Sequence, residues 1–275
     1  MPHLTSTGPA VRTGGAERLG VGVPGYAHPL LAPAEWAGLS RPGTPLHWAV
    51  LNIDNGPGAG PDPHCLEVAG RLRNARERAL HGEAPDDAVR ASGGRLLGHL
   101  DLAFGTRPFG ELVDDARSYL DWYRVGGFYL DRCPGERDLL PPVRRLTSTL
   151  YALLADSDST DPEGGRLVLG HGTHPYPGYA EAADQLVTFR GAWTDYRWSQ
   201  VAEWTAGYAP GRFAHFVHGV PRTHLVEAMR IARWQGAGTI FFTDRDGARG
   251  QTDPFAALPS YWDEFVSRIG PGISE

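Results

Sequence analysis

The chain of 275 residues contains no lysine, so all 26 of its basic Lys/Arg side chains are arginines. That absence removes Schiff-base chemistry and a P-loop lysine, and leaves anion handling to Arg alone. Cysteine is nearly absent too. Cys65 and Cys133 are too few for a disulfide framework and have no zinc-ligand spacing, so both read as buried thiols. No apolar run approaches the ~20 residues of a membrane span. The net charge of -6, with no basic stripe, gives no footprint for nucleic acid. Residues 1–18 are rich in Gly, Pro, Ser and Thr and show no apolar signal core. They read as a flexible leader ahead of a single domain at 19–275. A cytoplasmic protein is expected, with export left open to a different start site. No Gly-x-Gly-x-x-Gly opens a helix after the first strand, which removes the main argument for a dinucleotide fold, and neither cofactor nor metal is expected.

What the chain does have is a repeated alternation. Short apolar runs at 19–23, 46–51, 95–101, 124–131, 166–169, 185–189, 212–217 and 239–243 read as strands buried on both faces. Helical stretches lie between most of them, at 35–39, 66–80, 111–123, 141–154, 179–183, 196–204 and 223–235, with a last one at 261–269. The pattern at 66–80 places Leu66, Ala69, Leu72 and Arg73 at helical spacing, and that at 223–235 turns Leu225, Ala228, Met229, Ala232 and Trp234 inward. Residues 81–94 read as an exposed insertion. Eight strand–helix units in this length predict one closed (β/α)8 barrel of the α/β class rather than an open sheet.

In such a barrel the chemistry lies where the strands end. Those ends carry Tyr26 and His28, Asn52 and Asp54, Asp101, Asp131, His171, Arg190, His218 and Asp244. A polar or ionisable residue ends every strand, and the ring as a whole carries the argument. Phe104, Tyr129, Trp193, Tyr196 and Trp198 add aromatic faces beside them. Sugar rings stack on aromatics while their hydroxyls bond to Asp, Asn, His and Arg, so carbohydrate or another small polar ligand is expected. Glycoside hydrolysis needs two carboxyl groups, about 5–5.5 Å apart for retention and 6.5–9.5 Å for inversion. Asp101 and Asp131 end neighbouring strands and fit that need, with Asp244 and Asp54 as further candidates. A metal-dependent hydrolase using His171, His174, His218 and an aspartate is the weaker alternative.

Five segments in order carry a further likeness: Val23-Pro24-Gly25-Tyr26 with Pro29; Leu51-Asn52 through Gly56-Pro57-Gly58; Gly98-His99-Leu100-Asp101 with Phe104-Gly105-Thr106-Arg107; Trp122-Tyr123 with Gly127-Phe128-Tyr129-Leu130-Asp131; and Phe189-Arg190-Gly191. In order and spacing they resemble the spherulin-4 (spherulation-specific family 4) proteins. These are glycoside-hydrolase-like (β/α)8 barrels related to fungal enzymes that cleave α-1,4-linked galactosamine polymers. The resemblance implies a catalytic carboxylate at Asp131. It also implies glutamates at two positions where this chain has Arg132 and Arg190. An arginine stays protonated and cannot serve as general acid or base. Two expectations follow. One is a hydrolase in which Asp131 works with Asp101 or Asp244, with Tyr129, Trp193 and Arg107 among the substrate contacts. The other is a silent barrel that holds an anionic sugar or phosphate through Arg132 and Arg190.

Overall fold

The computed structural model describes residues 19–25, 27–80, 94–157, 164–247 and 253–269. The expected leader (1–18), Tyr26 and nearly all of the expected insertion (81–93) lie outside the described residues. Eight parallel strands close into a barrel in sequence order. They are β1 (Gly20–Val23), β2 (Leu46–Leu51), β3 (Arg95–Asp101), β4 (Gly127–Asp131), β5 (Arg166–Gly170), β6 (Gln185–Ala192), β7 (Phe213–His218) and β8 (Thr239–Phe242). The helices are α1 (Pro33–Leu39), α2 (Pro63–Leu80), α3 (Phe109–Tyr123), α4 (Leu140–Asp156), α5 (Trp193–Tyr196), α6 (Leu225–Trp234) and α7 (Trp262–Ile269). This is the predicted (β/α)8 architecture. Among the described residues no helix is long and apolar enough to cross a membrane.

Local physics explains most boundaries. Prolines open α1 and α4, where a missing N–H costs nothing. Arg124, left-handed at φ 50°, ends α3. Leu112, Val113, Ala116, Tyr119 and Tyr123 form the buried stripe of that helix. The letters Gly20-Val21-Gly22-Val23-Pro24-Gly25 do spell the dinucleotide pattern, but they form β1 and its exit and open no helix. The glycines serve close packing: a Cβ on Gly22 would lie 2.5 Å from the Trp48 ring, and one on Gly20 2.1 Å from His47.

Several expectations fail. The segment 196–204 is not a helix: α5 is a single turn, the chain then runs on irregularly, and a 3₁₀ turn follows at Glu203–Gly207. Between β5 and β6 there is only a 3₁₀ turn, Pro177–Glu181. Leu66 is exposed, because the buried side of α2 runs through Cys65, Val68, Ala69 and Leu72 instead. Trp234 is 79% exposed at the end of α6, beyond the stripe Leu225, Ala228, Met229 and Ala232 that packs inward.

The barrel interior is filled rather than open. Trp48, Tyr129 and Phe216 pack on one another with ring centroids 5.8–6.4 Å apart. The Trp48 indole donates to Gln185 Oε1 at 2.8 Å, and the Gln185 amide donates to Thr239 Oγ1 at 2.9 Å and to the Gly211 carbonyl at 2.7 Å. The polar groups of Trp48, Gln185 and Thr239 thus satisfy one another inside the barrel, as a low-dielectric core requires. His47 (against Thr239) and His215 (between Tyr196 and Thr188) are neutral core histidines. Burial pushes them down to about 4 and about 3.

These two histidines set an acid limit on stability. Their folded-state pKa values lie below the unfolded value near 6.5, so the unfolded chain takes up protons first as pH falls. Stability should therefore be full above pH 6.5 and decline towards pH 4, approaching ~1.4 kcal/mol per pH unit for each histidine. Denaturant melts across that range check this; a flat profile between pH 7 and 4.5 would contradict it.

Candidate functional site

The strand ends converge on two linked ion-pair systems. Asp101 and Asp131 are direct register partners at the ends of β3 and β4. Side chains two apart on a strand share a face, so His99 and Asp101 look the same way, as do Tyr129 and Asp131. Asp131 accepts from Arg190 Nη1 at 3.1 Å and lies 3.4 Å from His99 Nε2. Arg190 also donates to Asp253 at 2.6 Å and stacks over the Phe255 ring at 5.1 Å. A chain Asp253–Arg190–Asp131–His99 thus crosses the mouth from the loop after β8 to β3.

A register shift lets Arg190 take part. β6 pairs Val187 with Ala214 but Phe189 with His215, so Thr188 is an extra residue in a bulge. Beyond it Phe189 packs on Tyr196 and His215, while Arg190 reaches Asp131.

The second system is smaller and more exposed. Arg132 donates through Nε to Asp101 Oδ1 at 2.7 Å and through Nη2 to Oδ2, a two-point grip on one carboxylate. Asp101 also accepts the Ala103 amide at 2.9 Å. Arg132 lies over Phe104 at 5.7 Å and holds a left-handed backbone, φ 48°.

Both aspartates are held as carboxylates. Burial alone would raise Asp131, but the His99 contact and Arg190 more than reverse it. Burial would likewise raise Asp101, and the Arg132 and Ala103 hydrogen bonds carry it below the usual range. Among these groups three carboxylates (Asp101, Asp131, Asp253) face two guanidinium groups, with His99 beside Asp131.

Around these pairs lie buried polar atoms without hydrogen-bond partners: Asn52 Oδ1, His99 Nδ1, Tyr129 Oη, His171 Nε2 and His218 Nδ1. His171 donates through Nδ1 to the Cys133 carbonyl at 3.3 Å, so its Nε2 is an acceptor. Burial pushes His171 down to about 4 and lowers His218, so both are neutral at pH 7. Tyr129 lies against Gly170, where an added Cβ would come within 2.6 Å of its hydroxyl. Burial pushes that phenol up. These atoms are closed off from solvent, so a ligand reaches them only when neighbouring side chains move aside.

The other predicted residues lie elsewhere. Asp244 is exposed and accepts from the amide and hydroxyl of Ser260. Arg107 is anchored on α3 through Asp115 at 2.6 Å and Glu111 at 3.5 Å. Asp54 is exposed in the loop after β2. Trp193 is buried against His224 and Arg197. His28 faces Asp62 and Cys65. Tyr196 packs in the core on His215, and Trp198 is 80% exposed. Among the described residues His171, His174 and His218 form no metal-donor cluster. Three participants went unread. His99 was legible from its i-2 position to Asp101; Asp253 and Phe255 had no signal, since they come from a loop beyond β8.

The sequence matches the profile of spherulation-specific family 4 (Spherulin4) over residues 20–269. The chain belongs to that family. Among solved structures, Aspergillus clavatus Sph3 in complex with GalNAc is similar, with 23% identity and a TM-score of 0.72. The similarity covers 92% of this chain and 98% of that one. At that identity the likeness establishes the shared barrel. No curated protein matches.

The two arginines should differ in weight. Arg190→Ala strands Asp131 and Asp253 together and should cost about 1–3 kcal/mol. Arg132→Gly loses a half-exposed pair worth ~0–1 kcal/mol while relieving a left-handed strain of similar size, and should be near neutral. Urea denaturation of both variants measures this; equal costs would contradict the assignment.

Proposed function

We propose that this Spherulin4 barrel binds a sugar at the strand-end mouth and does not hydrolyse it by the two-carboxyl route. The observation that carries the reading is the state of Asp101 and Asp131. Each is fixed by a guanidinium as an ionised, hydrogen-bonded acceptor, at the two strand ends where a catalytic pair would lie. Hydrolysis by that route needs one carboxyl kept protonated to donate to the leaving oxygen, which requires a raised pKa. Both are lowered. Neutral His171 and His218 hold no spare acidic proton at pH 7, and Arg132 and Arg190 cannot release one.

Sugar binding is supported by membership of the family and by the GalNAc held by the similar barrel; the unpartnered polar atoms of Asn52, His99, Tyr129 and His171 are closed off from solvent and would meet a sugar only as side chains move aside. With both arginines already paired to carboxylates, the site favours a neutral or amino sugar of the galactosamine kind over a uronate or phosphate.

Calorimetry with GalNAc and α-1,4-linked galactosamine oligomers, run beside product analysis, tests the reading. We expect binding by the wild type, weakened ~5–10-fold in Tyr129→Phe by the loss of one hydrogen bond, and no cleavage. Cleavage by the wild type that vanishes in Asp131→Asn would establish the hydrolase instead, with Asp101 or Asp244 to be tested as its proton donor. The double variant Arg132→Glu/Arg190→Glu places carboxyl groups where the family resemblance expects them. Gain of cleavage there would show that the arginines alone hold the barrel silent.

A further inference from the structure

Outside the strand-end site, three side chains of different chemistry meet where the loop after β1 touches the start of α2. His28 Nε2 lies 3.6 Å from Asp62 Oδ1 and 3.6 Å from Cys65 Sγ. All three donor atoms lie within 4.8 Å of one another, and they form the only group of three or more His, Cys, Asp or Glu donors that close among the described residues. We propose that His28, Asp62 and Cys65 form a zinc site that ties the first strand-end loop to helix α2.

The edges fit. Zn–S near 2.3 Å and Zn–N or Zn–O near 2.0–2.1 Å, at tetrahedral angles, place donor atoms about 3.3–3.6 Å apart. The two edges from His28 Nε2, each 3.6 Å, match that spacing, and the third lies within 4.8 Å. The donor set also selects the ion: thiolate, imidazole and a single carboxylate suit zinc or cobalt, while calcium and magnesium demand oxygen ligands.

Each donor is positioned by the fold. Asp62 caps α2, with Oδ1 accepting the amides of His64 at 2.9 Å and Cys65 at 3.0 Å, so its carboxylate cannot wander. Cys65 is fully buried on the inner side of α2. The backbone carbonyl of His28 accepts the amides of Leu31 and Ala32, which fixes its loop. His64, exposed on the first turn of α2, has its ring centroid 6.5 Å from that of His28. Water or His64 can complete the tetrahedron.

Without an ion, a cap, a buried thiol and an Nε2 proton shared between Asp62 Oδ1 and Cys65 Sγ account for the same contacts, so metal titration decides between the two. One rearrangement is required. His28 Nδ1 accepts the exposed Leu30 amide at 3.2 Å, which puts the ring proton on Nε2. On metal binding that proton moves to Nδ1, the Leu30 amide turns to water, and the Cys65 thiol gives its proton to solvent as the sulfur–metal bond forms.

The test uses the full chain, stripped with chelator and titrated with zinc chloride or cobalt chloride. We expect one ion per chain, a thiolate-to-cobalt charge-transfer band in the near ultraviolet, and intense visible bands of tetrahedral cobalt. Zinc at about 100 times its Kd should raise Tm by about 5 °C. Cys65→Ser should abolish the charge-transfer band, and the half-exposed His28→Ala, a change that spares the core, should weaken binding at least ~10-fold. Cys133→Ser should change neither. No saturable cobalt binding, or a charge-transfer band that survives Cys65→Ser, overturns the proposal.

Discussion

The structure depends on a closure made by very few residues. β1 meets β8 through two register pairs, Gly20 with Thr239 and Val21 with Ile240. Without those pairs the strands would form an open sheet with two unprotected edges, and their ends would fan apart. With them, Asp101, Asp131, Arg190 and the loop carrying Asp253 are brought within hydrogen-bond reach although they span more than half of the sequence. The glycines of β1 are part of the same constraint. They let the Trp48 ring stand across the barrel where a side chain on Gly22 would collide with it, and Trp48 in turn backs Tyr129 beneath the mouth.

Above that packed interior, electrostatics rather than packing sets the character of the strand ends. A family fold carries a place for chemistry, not the chemistry itself. Here the strand ends present carboxylates as a hydrolase would, yet each is matched to an arginine from a neighbouring position. Arg190 is held on both sides and stacked on Phe255, so it belongs to the scaffold of the mouth. Arg132 is held on one side only and stands half in solvent.

Much of this was legible from residue pattern, and the parts that were not share a cause. β2 and β3 lie where expected, because strand-length apolar runs end abruptly at Asn52 and Asp101. The stripe of α3 is unmistakable from Leu112 to Tyr123. The single-turn α5 was read too long because aromatic residues at 196–204 mimic helical spacing while they are in fact spread between core (Tyr196) and solvent (Trp198). Trp234 was drawn inward by the same reasoning. At the candidate site, the strand-end rule singled out Asp101, Asp131, His171, Arg190 and His218. It could not tell which would pair, because that depends on the bulge at Thr188 and on a loop beyond β8. Nor does sequence spacing bring His28 together with Asp62 and Cys65; only the fold does.

The left-handed turn at Arg132 has a consequence for the charge at the rim. Its backbone conformation follows from the turn after β4, where the Phe104 amide bonds to the Arg132 carbonyl and the Cys133 amide to Gly170. The side chain contributes nothing to those bonds; it lies half-exposed along the rim, on Asp101 and Phe104. Position 132 is therefore an interchangeable fitting on a rigid mount: a swap of arginine for an acid would reverse the sign of charge next to Asp101 and leave the strands, the closure and the interior as they are. Charge at the rim is thus separable from the stability of the barrel at position 132, and tied to it at position 190, where the arginine is held by Asp131, Asp253 and Phe255.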